Sequence, residues 1–358
     1  MTEELPPTDA STTDVDPGAA SPTAVEALLT RGVKRVAGVA DRVVHHRVVN
    51  DARAVINAAA GDTLATAGSA LSHTMGVRVL GHSIPLTREG LANAFPQASE
   101  EVVVLIHGLM VTESCWEQGQ FGPQLEGDLG FTSVAVRYNT GLRISHNGRE
   151  LDRVLTALVA HWPVPVTRLA LVGHSMGGLV LHSALAQAAD DAPWVGLVSD
   201  TITLGSPHLG APLERALAGT TRLTGAVRHG AGLGRALGRR SVGIQDLARG
   251  RILDEEWNDP VATGRRWRRV DVPLRAGIRH LAIVGLLGKK INGPIAQLIG
   301  DGIVPASSAR GSGRKAPRSR RFAGEDVVVL PGVGHLALVH DPSVYAAIRE
   351  RLGARVDP

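Results

Sequence analysis

The stretch Arg168-Leu-Ala-Leu-Val-Gly-His-Ser-Met-Gly-Gly-Leu-Val-Leu constrains the fold more than any other part of this chain. Leu169 to Val172 form an apolar run long enough for a buried strand, and Leu179, Val180, Ala184 and Leu185 then recur at helical spacing. Between them lies Gly173-His174-Ser175-Met176-Gly177. A serine at the apex of a sharp strand-to-helix turn has its hydroxyl forced out of the sheet. Such a turn needs near-absent side chains two residues before and two after the serine, which Gly173 and Gly177 supply. The local reading is a nucleophile for acyl transfer. With 42 glycines in 358 residues the five-residue pattern alone is only suggestive, so the strand before it and the helix after it carry the argument. Gly81-His82-Ser83 serves as a control: Ile84-Pro85 follows, with no second glycine and no helical pattern, and it is set aside.

The same alternation recurs along the chain. Val102–Ile106, Thr132–Val136, Thr201–Leu204, Leu281–Val284 and Val327–Leu330 read as buried strands. Ser145 opens a helix in which Leu151, Val154, Leu155, Leu158 and Val159 share a face, and a last helix is expected from about Pro342 to Leu352. Strands buried on both faces and alternating with helices imply an α/β fold, with a mostly parallel central sheet and helices on both sides. Reactive groups then belong at the carboxyl ends of strands. His107-Gly108-Leu109-Met110, Ser175, Asp301 and His335 all follow strands in this way.

A serine hydroxyl attacks poorly until a base takes its proton. Of 14 histidines, His335 has the best setting, in the Gly-flanked loop after the last strand. His107 and His174 sit within the backbone turns they would brace, and His208 and His340 are weaker candidates. The imidazole needs a buried carboxylate to fix its tautomer. Asp301, between two glycines in an otherwise apolar segment, is the candidate, with Asp326 and Asp341 as second choices. The oxyanion needs two preset backbone donors. Met176, after the nucleophile, offers one, and the His107-Gly108 turn offers the other from Leu109 or Met110.

Taken together, His107-Gly-Leu, Gly173-His-Ser-Met-Gly-Gly178, Leu204-Gly-Ser-Pro-His-Leu-Gly-Ala-Pro212, Gly300-Asp-Gly-Ile-Val-Pro305 and Gly334-His335 resemble the lipase/esterase branch of the α/β-hydrolase fold. The wording is nearest to lipases similar to GPI-inositol deacylases. The resemblance spans roughly residues 101–348 and reproduces the order Ser175, Asp301, His335 expected of that fold. It implies a cofactor-independent serine carboxylic-ester hydrolase with an oxyanion hole at Leu109 and Met176, and with Met110, His208 and Leu209 as substrate-binding residues. Residues 209–279 occupy the position where this fold carries its lid. Leu213, Leu217, Val242, Ile244, Leu247, Ile252, Leu253 and Trp257 give that insert amphipathic pieces, so a cap lining an acyl pocket is expected.

The periphery departs from that pattern. Residues 1–22 read as a disordered leader rich in Pro, Ser, Thr and Asp. Residues 23–76 read as a helical segment opened by the capping box Thr23-Ala-Val-Glu26 and broken at Gly61-Asp62, with a further helix from Thr63 to about His73. The main domain is expected over 77–358. The net charge is +4, with arginines clustered at Arg265–Arg269 and from Arg310 to Arg321. Such runs fit solvated loops, or peripheral contact with an anionic membrane. No secretory signal and no run of ~20 apolar residues is present, and a single cysteine, Cys115, fits a reducing compartment; a cytoplasmic location is expected. Metal, nucleotide-cofactor and nucleic-acid motifs are absent. The expected substrate is a small-molecule or lipid ester. Two rival functions stay open at this point: acyl transfer or thioester cleavage with the same three residues, and a non-catalytic scaffold on a hydrolase fold.

Overall fold

The computed structural model describes residues 42–212, 241–258, 270–288, 298–312 and 322–354. The leader, the helix start at Thr23, Leu213, Leu217 and the arginine clusters within 265–269 and 314–321 lie outside the described residues. The chain divides into two compact units, residues 1–45 and 46–358, and of the first only residues 42–45, the start of helix α1, are described.

Among the described residues eight strands form one sheet, in the order β2-β1-β4-β3-β5-β6-β7-β8. The six expected or extended from the sequence are β3 (Glu101–Ile106), β4 (Thr132–Arg137), β5 (Arg168–His174), β6 (Val198–Leu204), β7 (Arg279–Leu286) and β8 (Val327–Pro331). They pair in parallel, as buried apolar runs predict. The other two, β1 (Gly76–Val79) and β2 (His82–Ser83), form an antiparallel hairpin on one edge. Its turn holds Leu80 at φ 48° and Gly81 at φ 81°, the left-handed pair that a two-residue hairpin requires. Leu80 occupies a site that favours Asn or Gly, which hides the turn from sequence inspection. The discarded Gly81-His82-Ser83 lies in this exposed hairpin.

Side chains alternate across the sheet. Val102, Val104, Ile106, Leu169 and Leu171 join the core beneath α1 (Arg42–Thr66), α4 (Ile144–His161) and α5 (Met176–Gln187). Val103, Leu105, Ala170 and Val172 join the opposite core, under α3 (Phe121–Leu129) and α9 (Pro342–Gly353). The remaining helices among the described residues are α2 (Arg88–Ala94), α6 (Val242–Arg249), α7 (Glu255–Asn258) and α8 (Ala306–Ala309). Among the described residues, no helix is long and apolar enough to cross a membrane.

Helix α1 docks on this body through Val55 and Ala58, both in the core. Asn57, fully buried, donates to the Arg53 and Leu71 carbonyls and accepts from His73 N at 2.8 Å, which pins the chain that returns from the helix. The expected break falls at Ala60, which leaves helical geometry at φ −141°, ψ 21°. The expected third helix ends at Thr66, well short of His73.

The described part of the 209–279 insert is also tied down. Ser241 donates its hydroxyl to the Ala58 carbonyl at 2.6 Å and caps α6 through Ile244 N. Asp246 on α6 pairs with Arg143 at 2.7 Å and accepts from Ile144 N at 3.3 Å, capping α4 from outside that helix. Arg143 also lies over the Trp257 ring at 4.3 Å.

Candidate active site

Ser175 stands between β5 and α5 with φ 54° and ψ −120°, a region that non-glycine residues avoid at a cost of about 1–3 kcal/mol. Neighbouring backbone holds it there. Ser175 N donates to the Leu204 carbonyl at the end of β6 at 2.8 Å, and Gly178 N donates to the Ser175 carbonyl at 3.1 Å. The flanking glycines are required by close approach: a Cβ on Gly173 would meet Gly178 N at 2.5 Å, and one on Gly177 would meet the His107 carbonyl oxygen at 2.6 Å. The sequence pattern therefore marks a place where β5, α5 and the end of β3 touch.

Asp301 and His335 are brought together from loops beyond β7 and β8. The Asp301 carboxylate accepts the His335 Nδ1–H through Oδ2 at 2.7 Å, and its Oδ1 accepts Ile303 N at 3.0 Å and Val304 N at 2.8 Å. His335 N donates to the Asp301 carbonyl at 2.9 Å. Both residues are at most 5 % exposed. With Nδ1 protonated, a neutral imidazole leaves its lone pair on Nε2. Gly205 packs against this pair, so that a Cβ there would lie 2.8 Å from Asp301 Oδ2. The second-choice carboxylates are occupied elsewhere: Asp326 pairs with Arg351, and Asp341 caps α9.

Ser175 and His335 border one small cavity of about 20 Å³, room for about one water or one small reacting group. Apart from His174, its other walls are apolar, including Leu109, Val111, Leu247, Ile303, Val304 and Leu336. Among the described residues no hydrogen bond joins the Ser175 hydroxyl to the imidazole. Leu109 follows the end of β3 at this cavity. Met176 buries its side chain in the core while its N–H opens α5, where helix geometry provides no partner.

The two flanking histidines brace the turns. His107 accepts from Tyr138 N through Nε2 at 3.3 Å and donates from Nδ1 to the Gly108 carbonyl at 2.8 Å, stacked on the Tyr138 ring. Burial is the main cause lowering its pKa to about 4, so it stays neutral. His174 donates from Nε2 to the His335 carbonyl at 3.0 Å. Burial, helped by the neighbouring His335, holds its pKa well below the usual imidazole range.

The substrate-binding candidates are placed differently. Met110 turns at φ 62° into the core and does not border the cavity. His208 faces the other side of its loop, 3.3 Å from Thr203 Oγ1 and against Phe322. Leu209 is fixed by its N–H to Ser308 Oγ at 3.1 Å, and it too stays off the cavity wall. The residues that do line it beside Ser175, such as Val111 and Ile303, carried no signal beyond being apolar. Leu247 comes from the 209–279 insert. Among the described residues no group of His, Cys, Asp and Glu is arranged to hold a metal ion.

A sequence profile of the alpha/beta hydrolase family matches residues 103–348, while no curated protein matches the chain. Among solved structures the chain is similar to the mature lipase BlEst2 of Bacillus licheniformis, at 18% identity over 78% of this chain and 96% of that one, with a TM-score of 0.43. It is also similar to lipase 1 of Pelosinus fermentans, at 14% identity over 72% of this chain and 100% of that one, with a TM-score of 0.45. A third is the carboxylesterase CesB of Bacillus subtilis, at 14% identity over 71% and 85%, with a TM-score of 0.40. The family profile runs from within β3 through β8 and takes in the loops that carry Ser175, Asp301 and His335, and the chain belongs to the alpha/beta hydrolase family.

Proposed function

We propose that this protein is a serine carboxylic-ester hydrolase acting on a hydrophobic ester. The observation that carries this reading is the buried, hydrogen-bonded Asp301–His335 pair bordering the same cavity as a serine held at a strained strand-to-helix turn.

In this mechanism His335 Nε2 takes the Ser175 proton as Oγ attacks the ester carbonyl. The contact between them tightens when substrate is seated, as is common for catalytic hydrogen bonds. Asp301 keeps the proton on Nδ1 and stabilises the imidazolium that forms. The carbonyl oxygen, now an oxyanion, is received by the N–H groups of Leu109 and Met176. Collapse of the tetrahedral species breaks the C–O bond, and the leaving alkoxide takes the proton from His335 Nε2. A water molecule then attacks the acyl-Ser175 ester, His335 again serving as base, and releases the carboxylic acid. The apolar walls exclude bulk water and favour an apolar substituent, and the 209–279 insert acts as a cap through Leu247.

A fluorophosphonate probe tests the proposal directly. The expected result is covalent labelling of the wild type and none of Ser175→Ala, together with hydrolysis of p-nitrophenyl esters by the wild type alone. A folded wild type that neither labels nor hydrolyses would leave only a scaffold role.

A further inference from the structure

Arginine side chains gather where β1 meets β4. Arg137 ends β4 and stands directly opposite Gly76, the first residue of β1, while Arg78 stands opposite Ala135. Residues two apart on a strand share a face, so Arg78 and Arg137 are diagonal neighbours, about 7–8 Å apart and within reach of each other. Arg53 belongs to α1. None of these arginines borders the cavity at Ser175. Two of them are well engaged. Arg137 is held by both oxygens of Glu113 and gives Nη1 to Asn50 Oδ1 at 3.2 Å. Arg53 donates to the carbonyls of Leu71, Ala70 and Ser72.

Arg78 is different. Its Nε and Nη1 are buried, yet among the described residues neither has a hydrogen-bond partner. Burial lowers its pKa most and the Arg137 charge next; Glu113 pulls the other way, and Arg53 lowers it further. The same positive field, added to burial, pushes His73 down to about 2 and keeps that imidazole neutral. Three guanidiniums therefore share one carboxylate, an excess of two positive charges, and both Glu113 oxygens are already taken by Arg137. Charges withdrawn from water are normally paired. Room for a missing counter-charge exists at Gly76, across from Arg137 and on the face that Arg78 shares: a Cβ built there meets nothing within 4 Å. Arg78 is only partly buried, so the recess opens to solvent.

We propose that the recess over Gly76 binds a phosphate group, gripped by Arg78 and Arg137. A guanidinium presents a planar fork of donors that matches the oxygens of such a group. A phosphate monoester carries a charge of about −1.5 to −2 at neutral pH, which answers the excess of two, whereas a single carboxylate would answer half of it. The group can arrive as free phosphate or as the headgroup of a phospholipid, and the grip is the same for both. The site is separate from Ser175 and does not depend on the esterase reading.

The experiment titrates inorganic phosphate into the full-length protein by isothermal calorimetry, in a buffer free of other multivalent anions. A second arm sediments the protein with phosphatidylcholine vesicles that contain or lack phosphatidic acid. Wild type is compared with Arg78→Gln, which removes the unpartnered cation, and with Gly76→Glu, which places a carboxylate in the recess. Arg153→Gln removes a charge from the exposed surface of α4 instead, and every variant is checked for folding by circular dichroism. The expected result is saturable binding to wild type in at least one arm, weaker by about tenfold or more in Arg78→Gln and Gly76→Glu and unchanged in Arg153→Gln. One folded variant of the first two is enough to decide. Binding in the first arm identifies free phosphate as a source, and binding in the second alone identifies a lipid headgroup. A wild type that binds in neither arm overturns the proposal whether or not the variants fold. So does binding that Arg78→Gln or Gly76→Glu retains in full, or that Arg153→Gln loses equally. Fluorophosphonate labelling of Ser175 tests the esterase reading separately.

Discussion

His335 is bound to Asp301 twice, by Nδ1–H to the carboxylate at 2.7 Å and by its backbone N–H to the Asp301 carbonyl at 2.9 Å. The second bond fixes the histidine loop whether or not the carboxylate is charged. Asp301→Asn should therefore keep the loop in place and disturb only the tautomer and the stabilisation of the imidazolium. The expected loss is about 10⁴-fold in kcat, with KM little changed, measured by steady-state hydrolysis of a p-nitrophenyl ester.

The backbone at Ser175 gives a prediction of opposite sign for stability and activity. Glycine adopts the geometry at φ 54°, ψ −120° without the strain that Ser175 bears there. Relief of about 1–3 kcal/mol of strain, less the greater chain entropy lost by glycine, leaves Ser175→Gly more stable by about 1 kcal/mol. Urea unfolding should show the gain, and fluorophosphonate labelling should vanish.

Most of the candidate site was legible because its residues are tied to backbone geometry. Gly173 and Gly177 mark the crossing of β5, α5 and β3, and the glycines around Asp301 and before His335 mark loops at strand ends. The parallel strands were legible for a similar reason, since burial on both faces writes continuous apolar runs such as Val102–Ile106. What stayed hidden depends on where side chains point after the loops close. Met110, His208 and Leu209 lie in the right loops, but positive φ, a bond to Thr203 and a bond to Ser308 turn them away from the cavity. The edge hairpin was missed because its strands are short and Leu80 occupies a turn position usually filled by Gly or Asn.

Beneath the His107 turn, Glu113 and Arg137 form a buried two-pronged ion pair, Arg137 Nε lying 2.7 Å from Glu113 Oε2. Burial pushes the Glu113 carboxyl upward, but the hydrogen bond and charge of Arg137 outweigh it and leave the pKa below its ordinary value of 4.5. A lowered folded-state pKa means the pair contributes fully above that value and is lost as pH falls through the folded one. Glu113→Gln strands a buried guanidinium and should cost about 3–5 kcal/mol at neutral pH. The gap from wild type, followed by urea unfolding, should stay level above pH 5 and narrow on acidification below 4.5.

Asp246 behaves in the reverse sense. Burial raises its pKa from 3.8 to about 6 despite the pull of Arg143. The folded state therefore holds the proton more tightly, and stability present at low pH is lost as pH rises from 3.8 through about 6. Relative to wild type, Asp246→Asn should gain stability across that window. Thermal melts of the two proteins at matched pH values will show it, and amide exchange at Ile244 and Leu247 should register the same change locally.

The bond from His174 Nε2 to the His335 carbonyl has a consequence for how the molecule comes apart. The neighbour of the serine in the chain props up the backbone of the histidine, although 161 positions separate the bonded residues. The two loops are thus mechanically one piece. An excursion that frees one must release the other, so loss of the two loops under mild heat or denaturant should proceed in a single step, with no species that keeps Ser175 poised after His335 has been released.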